Sequence, residues 1–316
     1  MNETTNNTSE NIQKFNFSES EKPKWIFAYT YWDSIPVILG ILHLFYLVGL
    51  IVFFDNLSLP LFILLASIYA ISISWNINGI SHNFIHNTYF KSEILNKIFS
   101  LILSLTMVFS QTFYEITHNK HHLGNSDLPD ENGNTHDWIS IYKHGKDGKP
   151  ENVWSYCLKG YFRDNIPEIY KEIAKKNVGS ANFGVFEIFA SVLFVIAGLI
   201  INWKATLCLV PFYYIGHCLS YLNGYYEHFN GNPNKPIAWG VSSYSWLYNL
   251  VWFNNGYHAE HHYRPRIHWT KMKEFHKKIQ QQQKEEGVHV IGYGHPLGFL
   301  DPANSFLDPA NKQKIN

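Results

Sequence analysis

The chain has 316 residues and a formal net charge of zero. No global field marks it for nucleic acid or another polyanion, so no nucleic-acid partner is expected. Its three cysteines, Cys157, Cys208 and Cys218, form no CxxC pair, which argues against a disulfide framework or a thiolate metal site.

Residues 1–24 are rich in Asn, Ser, Thr and Glu and lack the apolar run of a signal peptide. They are expected to form a disordered cytosolic tail. Four apolar segments follow that are long enough to cross a bilayer, which takes about 20 residues. They run from Ile35 to Phe54, Leu59 to about Ile77, Phe183 to Ile201 and Ala205 to Leu222. Short links, residues 55–58 and 202–204, predict two helical hairpins. Those links carry only Lys204, whereas 91–97, 120–176 and 264–284 are rich in Lys and Arg. The positive-inside bias therefore puts both termini and the central stretch in the cytosol.

A fifth apolar stretch, Ile98 to Phe113, lies between two histidine groups. A single crossing there would separate them by a hydrocarbon layer about 30 Å thick. Residues 95–114 are accordingly expected to form an interfacial or re-entrant helix, with a fifth span as the alternative. Residues 123–181 read as a polar cytosolic cap, and 239–253 as an interfacial aromatic stretch. The expected fold class is all-α: an integral membrane protein with four transmembrane helices, an interfacial helix and a cytosolic helical cap. Its domain would span 25–285, followed by a cytosolic tail over 286–316.

The 17 histidines carry the functional signal. His82 and His86 form an HxxxH pair. His118, His121 and His122 form one HxxHH triplet, and His258, His261 and His262 another. His228 follows Glu227 just after the fourth apolar segment. On a helix, positions i, i+3 and i+4 share a face, so such imidazoles can point at one ion or at two adjacent ions. Nine nitrogen ligands are too many for one ion and suit two. Neutral imidazole accepts several transition metals, so ligand type alone does not choose among them. A catalytic zinc normally takes three protein ligands, which nine histidines exceed. A bis-histidine haem would need two separated axial histidines rather than clustered triplets. His43 reads as packed within the first span, and His217 as lining a tunnel. His136, His144, His268, His276, His289 and His295 read as surface or supporting groups.

As a set, these motifs resemble the membrane fatty acid desaturase and alkane hydroxylase superfamily. The run Asn254-Asn255-Gly256-Tyr257-His258-Ala259-Glu260-His261-His262, followed by Pro265 and Trp269, is similar to the third histidine box of the desaturases. The segment from Asn223 to Phe229 looks more like the bacterial alkane monooxygenases. The resemblance covers roughly residues 35–275. It implies a centre of two iron ions (Fe2+), O2 as co-substrate and a fatty acyl lipid or hydrocarbon substrate. The implied reaction is desaturation, with hydroxylation or alkene-forming decarboxylation as alternatives on the same site. No catalytic group is expected beyond the metal ligands, because an alkane C–H bond is not acidic enough for acid–base chemistry and calls for a metal–oxygen oxidant. Supporting groups around the imidazoles are expected among Glu227, Asn254, Asp127 and Glu260, with Glu115, Asn223 and Asn255 as further candidates. The chain has no flavin or iron–sulfur motif, so an external donor of ferredoxin, rubredoxin or cytochrome b5 type is implied. The basic residues Arg264, Arg266, Lys271, Lys273, Lys277 and Lys278 could dock it, or could bind anionic membrane lipids.

Overall fold

The computed structural model describes Phe17, residues 22–232 and residues 234–304. Apart from Phe17 and residues 22–24, the tail expected over 1–24 lies outside the described residues.

The protein is mostly helical, as its long apolar runs and well-placed caps dictate. Helix α1 (Ser34–Val52) carries Pro36 in its first turn, where a missing N–H breaks no helical bond. Helix α2 (Leu59–Trp75) likewise has Pro60 at its start. It continues into a fully buried π-helical turn, Asn76–Ser81, and then α3 (His82–His86). Among the described residues, three helical stretches are long and apolar enough to cross a membrane: Tyr31–Val52, Leu59–His86 and Val178–Tyr226.

The third of these, α8, contains a break. Asn202 has non-helical angles (φ −154°, ψ 91°), and its Oδ1 accepts from the Ala205 N–H to start a new helix. A Cβ on Gly198 would lie 3.0 Å from Thr206 Oγ1. Eight residues of straight helix would rise about 12 Å, so the two halves of α8 fold back on each other.

Between α3 and α8 lie α4 (Glu93–Met107), α5 (Gln111–Gly124), α6 (Val153–Gly160) and α7 (Ile166–Lys176). Helices α4 and α5 meet at a 91° bend. Val108 ends α4 in the left-handed region (φ 52°), and the Ser110 hydroxyl caps α5 by accepting from the Phe113 N–H. The stretch Ile98–Phe113 is therefore bent through about a right angle rather than straight. Rings on its two sides touch: the His82 and His118 centroids are 4.5 Å apart.

One apolar cluster joins α1, α2, α4 and α8 through Leu47, Phe62, Tyr69, Ile73, Leu103 and Leu209. The outer faces of the same helices expose large apolar side chains, among them Leu42, Phe45, Leu64, Val192, Ile196 and Ile200. Such a continuous apolar exterior suits a lipid environment rather than water.

The C-terminal half adds α9 (Trp246–Val251), α10 (His258–Tyr263) and α11 (Met272–Glu285). It also holds a two-stranded parallel sheet, β1 (Val241–Ser243) with β2 (His289–Ile291), in which Val241 faces His289. The chain after 285, expected to be a tail, is packed as far as it is described. His295 is fully buried, its Nε2 bonded to the Val241 carbonyl, and the Asp301 carboxylate accepts from the Gly292 N–H. Strand pairing and these polar contacts hold a segment whose composition alone reads as loose.

Candidate metal centre

Local sequence sets the face that each histidine presents. In α5 and α10 the imidazoles fall at i, i+3 and i+4. The π-helical turn ahead of His82 alters the helical phase of α3, a device frequent at functional sites. That turn is held by polar contacts: Ser81 Oγ donates to Asn76 Oδ1, and Asn76 Nδ2 lies 2.9 Å from His43 Nδ1. The other His43 nitrogen meets Ser72 Oγ, so this histidine is packed and hydrogen-bonded.

The nine histidines singled out from the sequence lie together, and they sort into two groups. His82, His86, His118 and His261 form one, and His121, His228, His258 and His262 the other; within each, the candidate ligand atoms lie within 4.8 Å of one another. His122 adjoins the first group, its Nε2 being 3.0 Å from Nε2 of both His118 and His261. The division follows helical spacing. In each helix the i and i+4 imidazoles join one group and the i+3 imidazole the other. In α5, His118 and His122 lie on one side and His121 on the other; in α10, His258 and His262 lie on one side and His261 on the other. The groups adjoin, with the His122 and His262 rings stacked at 4.2 Å.

The donor chemistry fits a metal pair. Nε2–Nε2 separations are 2.8 Å for His82–His261 and His86–His118 and 3.0 Å for His228–His258. Two nitrogens each about 2.1 Å from one ion and at right angles about it stand about 3.0 Å apart. Both nitrogens of His262 are buried without a protein partner. Burial, and then the neighbouring imidazoles, push His118, His122, His258, His261 and His262 well below the ordinary histidine range. Burial does the same for His228. These rings are neutral, with converging lone pairs that a cation would satisfy.

His121 differs. Burial opposes its charged form, but the Asp137 carboxylate outweighs burial and raises it. Its Nδ1–H donates to Asp137 Oδ2 at 2.7 Å, which leaves Nε2 for the centre. Asp137 was not among the sequence candidates, since it lies in an irregular loop with no spacing signal. Asp127, which was, acts one step further out: its carboxylate accepts from the His136 and Asp137 N–H groups.

Glu227 lies beside the second group. Its Oε1 is 3.7 Å from His258 Nδ1 and accepts from Asn223 and Asn255. Burial pushes its carboxyl up to about 7. The Asn254 side chain donates to the Trp269 carbonyl rather than to a histidine. Phe253 and Asn254 both have positive φ, and this turn aims Asn255 rather than Asn254 inward. Glu260 turns away from the nine imidazoles and is taken by His276, Tyr244 and Ser242. Ser242 in turn accepts from the Ala259 N–H, so Glu260 fixes α10 from behind.

An apolar cavity of about 460 Å³ opens onto this centre. His82, His118, His121 and His228 form part of its wall, and Val108, Phe109, Phe113 and Ile188 are among its apolar lining. His217 lines it too, as expected, with Nε2 3.2 Å from the Met107 carbonyl. The volume is in the range of ligand-binding cavities.

Fold and site together define a helical protein of membrane type with a histidine-rich centre facing an apolar chamber. The fatty acid desaturase family model matches residues 57–294, and the chain belongs to that family. Comparisons with curated proteins and with solved structures returned no match. Family membership makes it an oxidoreductase of desaturase or hydroxylase type.

Proposed function

We propose that this protein is an O2-dependent membrane desaturase that introduces a double bond into a fatty acyl chain, using two irons held by nine histidines. The observation that carries the reading is the convergence of His82, His86, His118, His122 and His261 beside His121, His228, His258 and His262, at the wall of an apolar cavity. When bound, the two irons would supply the one-electron O2 chemistry that cleavage of an unactivated C–H bond requires.

The chain's own residues do the rest. Val108, Phe109, Phe113 and Ile188 exclude water and hold an alkyl chain against the centre. Asp137 fixes the tautomer of His121, and Glu227, held by Asn223 and Asn255, places a carboxyl 3.7 Å from His258 Nδ1 beside the second group. In the bilayer, the two halves of α8 form one hairpin and α1 with α2 the other, with the centre and both termini on the cytosolic side. Electrons come from an external donor of ferredoxin, rubredoxin or cytochrome b5 type.

A second reading, a monooxygenase acting on an alkane or acyl chain, draws support from His228. The segment from Asn223 to Phe229 that resembles alkane monooxygenases delivers this histidine into the second group. Lipid profiling of a heterologous host expressing the chain with a reductant tests both. Loss of two hydrogens supports desaturation, gain of one oxygen supports hydroxylation, and a terminal alkene one carbon shorter would indicate decarboxylation.

A further inference from the structure

Glu187 is fully buried in the first half of α8, inside a stretch apolar enough to span a membrane. An ionisable group there is expensive and calls for named partners. Its Oε1 accepts from Ser100 Oγ at 2.5 Å, on α4. Its Oε2 accepts from Ser110 Oγ at 2.6 Å and from the Thr112 N–H at 3.0 Å, at the start of α5. One carboxylate thus grips both arms of the 91° bend. A turn further along, Ser191 Oγ donates to the Ser104 carbonyl, while Ser104 Oγ accepts from the Gln111 N–H. Helix α5 carries His118, His121 and His122. The free N–H groups and positive end of its first turn suit a carboxylate.

We propose that Glu187 is a positioning residue for the metal centre: it clamps the bend and so sets the place from which α5 presents its three imidazoles. This inference rests on the di-iron reading. Glu187 itself does not line the cavity, although its partner Ser110 does, so the carboxylate acts on the centre through the helix starts it holds.

The test compares full-length wild type, Glu187→Ala and Glu187→Gln in detergent or nanodiscs. Metal per chain is measured by elemental analysis after anaerobic Fe(II) loading. The visible spectrum with Co(II) as a probe, and the rise in Tm on metal addition, are recorded alongside. Glu187→Ala is expected to bind metal about tenfold more weakly, as loss of an outer support typically does, with an altered Co(II) spectrum and a smaller metal-induced rise in Tm. Glu187→Gln, which keeps an acceptor for α5 and a donor for Ser100, is expected to recover most of the binding. Wild-type binding and spectrum in Glu187→Ala, or a fall in apo-protein Tm with the metal-induced rise intact, would overturn the proposal. If Glu187→Ala does not fold, Ser110→Ala carries the same test, since it loosens α5 while Ser100 still holds the carboxylate; unaltered affinity there overturns it equally. Wild type that loads no metal pair would count instead against the di-iron reading.

Discussion

His121 donates through Nδ1 to Asp137 at 2.7 Å, and this carboxylate also accepts from the Ser126 N–H at 2.8 Å. The pair ties the second imidazole group to the loop after α5. Outer-shell carboxylates of this kind are typically worth 10–100-fold in metal affinity. Asp137→Asn is therefore expected to weaken metal binding by about tenfold or more, read by competition with a chelator. Asp127→Asn, which touches only backbone N–H groups, should cost less.

Acid should destabilise the metal-free protein. His118, His122, His228, His258, His261 and His262 all titrate well below 6.5 when folded. Below about pH 6.5 the unfolded chain therefore binds more protons than the folded one, and stability falls as pH falls. His121, raised by Asp137, and Glu227, raised by burial, work the other way but are outnumbered by the six lowered imidazoles. The Tm of apo-protein should drop between pH 7.5 and pH 5. A Tm that is flat or higher at pH 5 would contradict the buried, neutral state of these rings.

Chain-length preference should follow the cavity. Ile188 lines it from α8. Ile188→Trp would fill part of the roughly 460 Å³ and should shift products towards shorter chains, measured by mass spectrometry of host lipids. An unchanged product profile would place the substrate elsewhere.

Helix contact should be sensitive at Gly216. A Cβ there would lie 2.7 Å from the Ala70 carbonyl oxygen, so α8 and α2 meet through backbone. Gly216→Ala is expected to cost about 1–3 kcal/mol, the usual range for overpacking. Thermal unfolding in detergent reads the effect, with Gly49→Ala, a helical glycine that meets nothing within 4 Å, as the control expected to hold or raise Tm.

Much of the site was legible because it is local. HxxxH and HxxHH spacing follows directly from helical periodicity, and the long apolar runs announce their helices. The partition of each triplet between two groups was not legible, since it depends on which helix faces which. Asp137 lies 16 residues from the ring it orients, in a loop without periodicity. The choice of Asn255 over Asn254 turns on two residues with positive φ. Glu187 did carry a sign, a lone carboxylate in an apolar stretch, but its partners on α4 and α5 emerge only from the tertiary fold.

Counting iron in purified, turnover-competent protein probes the core idea most directly. Two ions per polypeptide are expected, with both stoichiometry and turnover lost in His121→Ala and His261→Ala, one from each group. A fully active preparation holding fewer than two ions per chain, or full activity in both variants, would contradict it.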